Sequence, residues 1–323
     1  MKKFLLFLFA IFLLAACYLA YGLLLPITPS GQQFVLLRQG SSARSIAKQL
    51  QQEGVIRSWP AFMLMHYYKV RPLQAGEYLF DQPANAIQVY RRLARGDVYV
   101  RTVVIPEGYN IFDIAQAVEA AGLGSVQEFI NLARSQRALI ADLDPEAKSL
   151  EGYLFPDTYK FMRTQSLEDV ASAMVRRFRQ EARALGLNSD VHRVVTMASI
   201  VEKETSVPEE RPLVASVYYN RLAHNMGLYA DPTVAYAALL AGRYRGAIFQ
   251  SDLQFKSPYN TYRYRGLPPG PIANPGRASL QAAMQPANTD YFYFVSDNNG
   301  HHRFARNSRE HGRNVALYRR AQR

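Results

Sequence analysis

The sequence lacks the residue patterns on which several common chemistries depend. Cys17 is its only cysteine, so no intramolecular disulfide can form and packing must stabilise the fold. Its histidines never stand in an H-E-x-x-H or H-x-x-x-H pair, which argues against a zinc site. The G-x-x-x-x-G-K-[ST] loop and the G-x-S-x-G elbow are also missing. We therefore expect no metal and no cofactor, and the usual markers of phosphoryl and acyl transfer are absent.

Charge and the first residues limit the partners. The 323-residue chain has a formal net charge of +12, which favours an anionic partner or surface. Lys2 and Lys3 precede an uncharged apolar run, Phe4 to Leu25, that is long enough to cross a bilayer. Because the lysines should stay in the cytoplasm, the rest of the chain is predicted to face the periplasm, where nucleic acid is not an expected partner.

The same segment allows two other interpretations. The motif LAAC, which ends at Cys17, resembles a lipoprotein cleavage site, and a cleaved signal peptide is a further alternative. The apolar run continues past Cys17 to Leu25, whereas a mature lipoprotein usually becomes polar there. This continuation favours an uncleaved single-pass anchor in the inner membrane.

An internal repeat follows the anchor and a short linker. When Gly40 is placed over Gly108, both copies show a β-branched strand, a glycine, an amphipathic helix and a final glycine. The first copy resembles a LysM-like module, a small peptidoglycan-binding fold; alternatively, both copies serve only as packing units. We predict an α+β protein with these segments: 1–3 cytoplasmic, 4–25 transmembrane, 26–33 linker, 34–100 LysM-like β-α module, 101–148 second β-α unit, and 149–323 a larger mixed α+β domain.

A glutamate that follows an apolar helical run is the strongest candidate for chemistry. Glu202 comes directly after VVTMASIV, with Ala198 and Ser199 four and three residues before it on the same face. Burial in such surroundings raises a carboxyl pKa and lets it act as a general acid. Glu204 lies about 200° round the helix, so we expect it to face outward. Alternatively, Glu202 only caps the edge of the helix.

The loops after this helix have the composition of a sugar-binding cleft. Aromatic rings and amides stand on stiff turns in NR, DPT, YNTY and GLPPG, from residue 220 onward. Together with LEGYLFPDTY, ASIVEKET, DPTVAYA, YNTYRYRGLPPGPIANPG and YFVSDNNGHHRFA, they resemble the MltG or YceG-like family of endolytic murein transglycosylases. The resemblance covers nearly the whole chain.

The resemblance implies an inner-membrane enzyme whose periplasmic domain, residues 149–323, cuts nascent peptidoglycan strands internally and so ends their elongation. It implies cleavage of the β-1,4 bond between N-acetylmuramic acid and N-acetylglucosamine, with a 1,6-anhydro product. Its catalytic glutamate falls on Glu202, and the predicted substrate-binding residues are Asn260, Tyr262, Asp231, Glu151 and Tyr153. Two positions depart from the family pattern: Tyr229, where a glutamine is expected, and Gly312, where an asparagine is expected.

The predicted partners are peptidoglycan glycan strands, the lipid of the inner membrane and, as the resemblance implies, penicillin-binding synthases. Two other functions stay open from the residues alone. A non-catalytic wall-binding or scaffold protein would hold peptidoglycan through the repeats. A muramidase would cleave the same bond with water and would need a second carboxylate.

Overall fold

A computed structural model describes residues 2–322, which divide into two compact units. Within the described residues, the smaller unit comprises 2–102 and 160–165, and the larger comprises 103–159 and 166–322. The chain is α+β, as predicted, with helices predominating and with three two-stranded sheets among the described residues.

The smaller unit contains the apolar first helix and a two-stranded sheet. Its elements are α1 (Lys2–Leu24), β1 (Gln33–Leu37), α2 (Ala43–Gln52), α3 (Trp59–Lys69), β2 (Gly76–Phe80) and α4 (Ala86–Arg95). Strands β1 and β2 are antiparallel, with Gln33 opposite Phe80 and Leu37 opposite Gly76. Helix α1 is long and apolar enough to cross a membrane, as a signal sequence also is.

Side chains within three residues cap the N-termini of helices α2, α3 and α4 in the smaller unit. The Ser42 hydroxyl accepts from the Ser45 N–H, and the Ser58 hydroxyl accepts from the Ala61 N–H. Asn85 and Gln88 form a capping box at α4. One core then joins β1, β2, α2, α3 and α4 through a set of large buried side chains: Leu37, Leu50, Phe62, Tyr78, Val89 and Leu93.

Two further strands pair with each other where the chain passes from one unit to the other: β3 (Arg101–Val104) and β4 (Thr158–Phe161). The larger unit then holds α5 (Ile111–Ala120), α6 (Val126–Ser135), α7 (Leu167–Leu185), α8 (Val191–Glu204), α9 (Arg211–Ala223), α10 (Asp231–Leu240), α11 (Gln250–Leu253), α12 (Arg277–Met284), β5 (Tyr293–Ser296), β6 (His302–Ala305) and α13 (Ser308–Ala321), with short 3₁₀ turns at Arg137–Leu139 and Pro208–Glu210.

The structure shows both copies of the repeat. Strand β1 precedes α2 and strand β3 precedes α5, with a left-handed glycine before each helix, Gly40 and Gly108. Residues from Val103 onward belong to the larger unit, in which α5 packs on α6 and α6 packs on α7. The bounds of the second β-α unit, 101–148, stay a prediction.

Helix α8 is enclosed by its neighbours in the larger unit. It contacts α9, α10 and α12, and residues on every side of it are buried, including Thr196 and Ser199. The Ser199 hydroxyl donates to the Thr196 carbonyl at 2.8 Å and accepts from the Ile272 N–H at 3.0 Å. A helix covered on all sides cannot be divided into an inner and an outer face by periodicity alone.

Candidate active site

Helix α8 carries two glutamates into different surroundings, and Glu202 is held by an ion pair. Its Oε1 accepts from the Arg211 guanidinium at 2.9 Å, and its Oε2 accepts from the Gly276 N–H at 2.9 Å. The two charged side chains are only 5% and 9% exposed, for Glu202 and Arg211 respectively. Glu202 therefore joins the end of α8 to the first residue of α9 and to the residue that precedes α12.

Burial raises the pKa of Glu202 above its usual value, as the apolar run before it predicts. The Gly276 N–H and the Arg211 charge act in the opposite direction, because both favour the carboxylate. This carboxyl group is thus largely buried, as predicted, and each of its oxygens has a partner inside the protein.

Glu204 does not face outward, and that prediction was wrong. Its Oε1 accepts from the Tyr218 hydroxyl at 2.7 Å, and the residue is one of those that line a cavity of about 380 Å³. Burial raises the pKa of Glu204 to about 7, against the hydrogen bond from Tyr218, which lowers it. The reason is tertiary: α9 packs over the side of α8 that we expected to meet water.

The cavity beside Glu204 has an aromatic wall and two further charged groups, the Asp231 carboxylate and the Arg221 guanidinium. It is lined by Tyr218, Arg221, Tyr229, Asp231, Tyr262, Tyr293, Phe294 and His311 together with Glu204. Such rings offer flat faces for sugars, and the polar groups can meet hydroxyls. All of these residues belong to the larger unit.

Two of the predicted substrate-binding residues lie together in this cavity. The Tyr262 hydroxyl donates to Asp231 Oδ1 at 2.7 Å, and its ring meets that of Tyr229 edge-on at 5.3 Å. Tyr229 is 52% exposed, so the position that departs from the family pattern stands at the cavity wall. Gly312, the other departure, follows His311, which also lines the cavity.

Asn260 does not line the cavity; it is fully buried and holds a loop. Its Oδ1 accepts from the Tyr262 N–H at 3.0 Å, and its Nδ2 donates to three main-chain carbonyls, those of Asp252, Leu253 and Phe255. These bonds shape the turn that presents Tyr262. A sugar contact by Asn260 stays a prediction, and this geometry does not favour it.

Glu151 and Tyr153 are also buried away from the cavity. Glu151 accepts from the Ile111 N–H at 3.1 Å, from the Tyr236 hydroxyl at 2.8 Å and from the Asn274 amide at 2.9 Å. Burial raises its pKa to about 7. The Tyr153 hydroxyl donates to Asp144. These contacts make both residues parts of the core, and their predicted role in substrate binding has no support from the geometry.

Sequence reasoning placed Arg221, in the NR motif, among the sugar-binding loops but missed Tyr218, Tyr293 and His311. Arg221 stacks over the ring of Tyr293 at 5.5 Å, and His311 stacks on the same ring at 5.0 Å. Burial lowers the pKa of His311, and the neighbouring Arg221 charge acts in the same direction. No local pattern marks these residues, because the cavity brings together α8, α9, β5 and α13. As for metals, no group of three or more His, Cys, Asp and Glu side chains within residues 2–322 could hold an ion.

Comparison with known proteins decides the family. The YceG-like family model matches residues 35–317, which is most of the chain. The chain belongs to the YceG-like family. A curated relative from Bacillus subtilis (strain 168), named endolytic murein transglycosylase, is 35% identical over 302 residues and aligns with 86% of this chain and 82% of its own length.

A second family member with the same name comes from Streptococcus pneumoniae serotype 2 (strain D39 / NCTC 7466). It is 30% identical over 329 residues, and the alignment covers 91% of this chain but only 60% of the pneumococcal protein. A crystal structure of a yceG-like protein from Listeria monocytogenes superposes with a TM-score of 0.58 at 33% identity, covering 88% of this chain and 99% of that one. The likeness therefore extends to the three-dimensional fold.

Proposed function

We propose that this chain is an endolytic lytic transglycosylase that cleaves the β-1,4 bond between N-acetylmuramic acid and N-acetylglucosamine within nascent peptidoglycan strands. The observation that carries the proposal is Glu204, whose pKa burial raises to about 7 and which is one of the residues that line a cavity with aromatic walls. The names of the two curated relatives support the reaction class. At neutral pH such a carboxyl is protonated in about half of the molecules and can release its proton to a leaving oxygen.

The reaction needs one acid that acts twice. Protonated Glu204 donates its proton to the glycosidic oxygen, which leaves with the electrons of its bond to the anomeric carbon of the muramic residue. The Glu204 carboxylate then takes the proton of the muramic 6-hydroxyl, whose oxygen bonds to the same carbon. The product is a 1,6-anhydro ring, Glu204 is protonated again, and no water is consumed.

Nearby groups hold Glu204 in place for this exchange. The Tyr218 hydroxyl fixes one carboxyl oxygen at 2.7 Å. The rings of Tyr229, Tyr262 and Tyr293 offer surfaces on which sugar rings pack. Glu202 lies two residues away, and its ion pair with Arg211 joins the end of α8 to α9; its predicted role as the acid stays open beside that of Glu204.

Glu202, the residue predicted from the sequence, remains the competing acid, and two variants separate the candidates. Glu204→Gln should lower the rate of anhydro-product formation by about 10²- to 10⁴-fold, the usual worth of a positioned general acid. Glu202→Gln keeps an oxygen for the Gly276 N–H and should retain most of the activity. The assay is release of fragments from glycan strands, measured by mass spectrometry, with circular dichroism to confirm folding.

The same two variants can also contradict the assignment of the acid to Glu204. A folded Glu204→Gln enzyme with the wild-type rate, beside an inactive and folded Glu202→Gln enzyme, would return the role of acid to Glu202. If neither variant lost activity or the wild-type chain formed no product, the scaffold function would be favoured.

The second candidate reaction, hydrolysis by water, is favoured by one observation: Asp231 supplies another carboxylate in the same cavity. A muramidase leaves a reducing end, whereas a transglycosylase leaves an anhydro end that is lighter by one water molecule. Mass spectrometry of the new ends decides between them, and we expect the anhydro form.

Location and partners complete the proposal. Helix α1 would hold the chain in the inner membrane with Lys2 and Lys3 in the cytoplasm and the two units in the periplasm. Cleavage near the membrane would end strand elongation by penicillin-binding synthases. The smaller unit would be a LysM-like module, which its β1-α2-α3-β2 order and antiparallel sheet support. Deleting residues 34–100 should then weaken sedimentation of the protein with isolated peptidoglycan.

A further inference from the structure

Helix α3 of the smaller unit has an uncovered apolar face. Phe62 on one side of the helix is completely buried in the core. On the opposite side Leu64, Tyr67 and Tyr68 are 51%, 72% and 81% exposed, at spacings of three and four residues that place them together. Large apolar side chains grouped in this way mark an interaction surface rather than an ordinary water-facing side.

The first turn of α3 lies against the apolar helix α1. The Ser58 hydroxyl donates to the Tyr18 hydroxyl at 3.1 Å, and a Cβ atom added to Gly22 would lie 3.0 Å from the Cβ of Ala61. Tyr18 lies six residues before the end of α1, or about 9 Å along its axis. If α1 spans a bilayer, α3 therefore begins near the boundary between headgroups and hydrocarbon.

The face of α3 that meets α1 continues as the exposed face. Ala61 contacts α1, and Leu64 and Tyr68, three and seven residues later, lie on the same side of the helix. At these later positions α1 no longer covers the surface, since both side chains are more than half exposed. What surrounds α1 at that level, outside the protein, is lipid.

Cations stand beside this face. A cavity of about 270 Å³ lies between α3 and α4, with Met65, Ile87, Tyr90 and Ala94 as apolar lining and Lys69, Arg71, Arg91 and Arg95 as the basic lining. Asp and Glu are absent from that lining. Arg95 is paired with Asp97 at 2.6 Å and Lys69 stands over the Tyr68 ring at 5.1 Å, whereas Arg71 and Arg91 form no ion pair within residues 2–322. Basic groups next to apolar and aromatic ones suit the phosphates of a membrane surface.

We propose that α3 lies in the interfacial zone of the leaflet at the C-terminal end of α1. Leu64, Tyr67 and Tyr68 contact the boundary of the acyl chains, and the basic cavity takes the phosphate of an anionic phospholipid. The smaller unit is thereby held against the membrane by a surface as well as by its anchor. The inference rests on α1 being a membrane span and is independent of which glutamate is the acid.

Nitroxide spin labels on the full chain in vesicles of phosphatidylethanolamine and phosphatidylglycerol test the surface. In a Cys17→Ser background, labels at Leu64→Cys and Tyr68→Cys should be reached by oxygen more readily than by a water-soluble nickel chelate. Gln39→Cys, an exposed position beyond the far end of β1, should show the reverse order. A label at Phe9→Cys reports independently whether α1 is in lipid.

Three outcomes overturn the proposal. Labels at positions 64 and 68 that behave like the one at Gln39 mean that α3 faces water. Labels reached by neither reagent mean that protein covers the face, for example a second copy of the chain. A water-exposed label at Phe9 means that α1 does not span the bilayer. If the label at Phe9 is lipid-exposed and the label at Tyr68 is water-exposed, the proposal for α3 fails, but the anchor and the enzymatic proposal stand.

The cavity has its own test. Native mass spectrometry of the detergent-solubilised chain should show retained phosphatidylglycerol, reduced about tenfold or more in an Arg71→Gln/Arg91→Gln variant. A matched Arg38→Gln/Arg44→Gln variant changes the same charge on other exposed residues and should retain the lipid. Equal retention in the two variants contradicts the site. Displacement of the lipid by millimolar inorganic phosphate would show a site for free phosphate and would overturn the lipid assignment.

Discussion

Replacing Tyr218 by phenylalanine should shift the pH dependence of the reaction toward higher pH. The hydroxyl donates to Glu204 at 2.7 Å, and this bond lowers a carboxyl pKa that burial has raised to about 7. The ring itself packs edge-on against Phe294 at 5.9 Å and stays in place when only the hydroxyl is removed. The variant therefore isolates one hydrogen bond.

The expected size follows from the worth of that bond in each protonation state. A hydrogen bond to a charged group contributes about 1.5–3 kcal/mol, and one to a neutral group about 0.5–1.5 kcal/mol. The difference, about 1–1.5 kcal/mol, corresponds to roughly one pKa unit. If protonated Glu204 is the acid, as proposed, activity is lost as pH rises through its pKa. The midpoint of that loss should move from about 7 in the wild type to about 8 in Tyr218→Phe.

The assay is the initial rate of anhydro-product formation between pH 5.5 and pH 9, about the range in which both forms of Glu204 are populated. Tyr236→Phe is a matched control, because Tyr236 donates to Glu151 at 2.8 Å, another buried carboxyl with a pKa raised to about 7. It should leave the midpoint unchanged, since Glu151 lies outside the cavity. An unmoved midpoint in Tyr218→Phe, or an equal shift in both variants, would refute the assignment of the acid to Glu204.

Two further predictions concern stability and are read from thermal unfolding. Arg211→Met leaves the 5%-exposed Glu202 without its ion-pair partner and should lower the free energy of unfolding by about 3–5 kcal/mol. Adding Glu202→Gln should restore much of that loss, because the unpaired charge is removed. If the double variant recovers no stability, the pairing is contradicted. Gly152→Ala places a Cβ atom 2.5 Å from Pro271 at a φ of 89°. Gly186→Ala has a similar φ of 74° but no atom within 4 Å of the added Cβ, so it should cost only about 1–2 kcal/mol, and Gly152→Ala should cost far more. Equal losses in the two variants would contradict the clash.

The sequence and the structure agree most closely where a property depends on neighbours along the chain. Burial of Glu202, and the upward direction of its pKa, follow from the apolar run before it. Several helix starts follow from side chains within three residues, as at Ser166, whose hydroxyl accepts from the Asp169 N–H. The family also follows from ordered motifs, since most of the chain matches the family model.

The assignment of faces could not be obtained in the same way. From spacing alone Glu202 faced a site and Glu204 faced water, yet each glutamate is buried among different partners. Periodicity shows which residues share a side of a helix, but which sides are covered depends on the elements packed there. Asn260 illustrates the same limit, because an amide in a polar, aromatic loop is equally suited to a sugar or to the loop's own carbonyls.

The sequence by itself determined the apolar first helix, the repeated strand-glycine-helix unit and the burial of the carboxyl group at Glu202, because these depend on contacts within a few residues. Only the tertiary structure decided the rest of the site. Arg211 and Gly276 take both oxygens of Glu202, although Gly276 is 74 residues away, whereas Tyr218 and strand β5 enclose Glu204 beside an open cavity. Long-range packing gives two nearly adjacent carboxyl groups different surroundings, because it decides which side chains meet each of them.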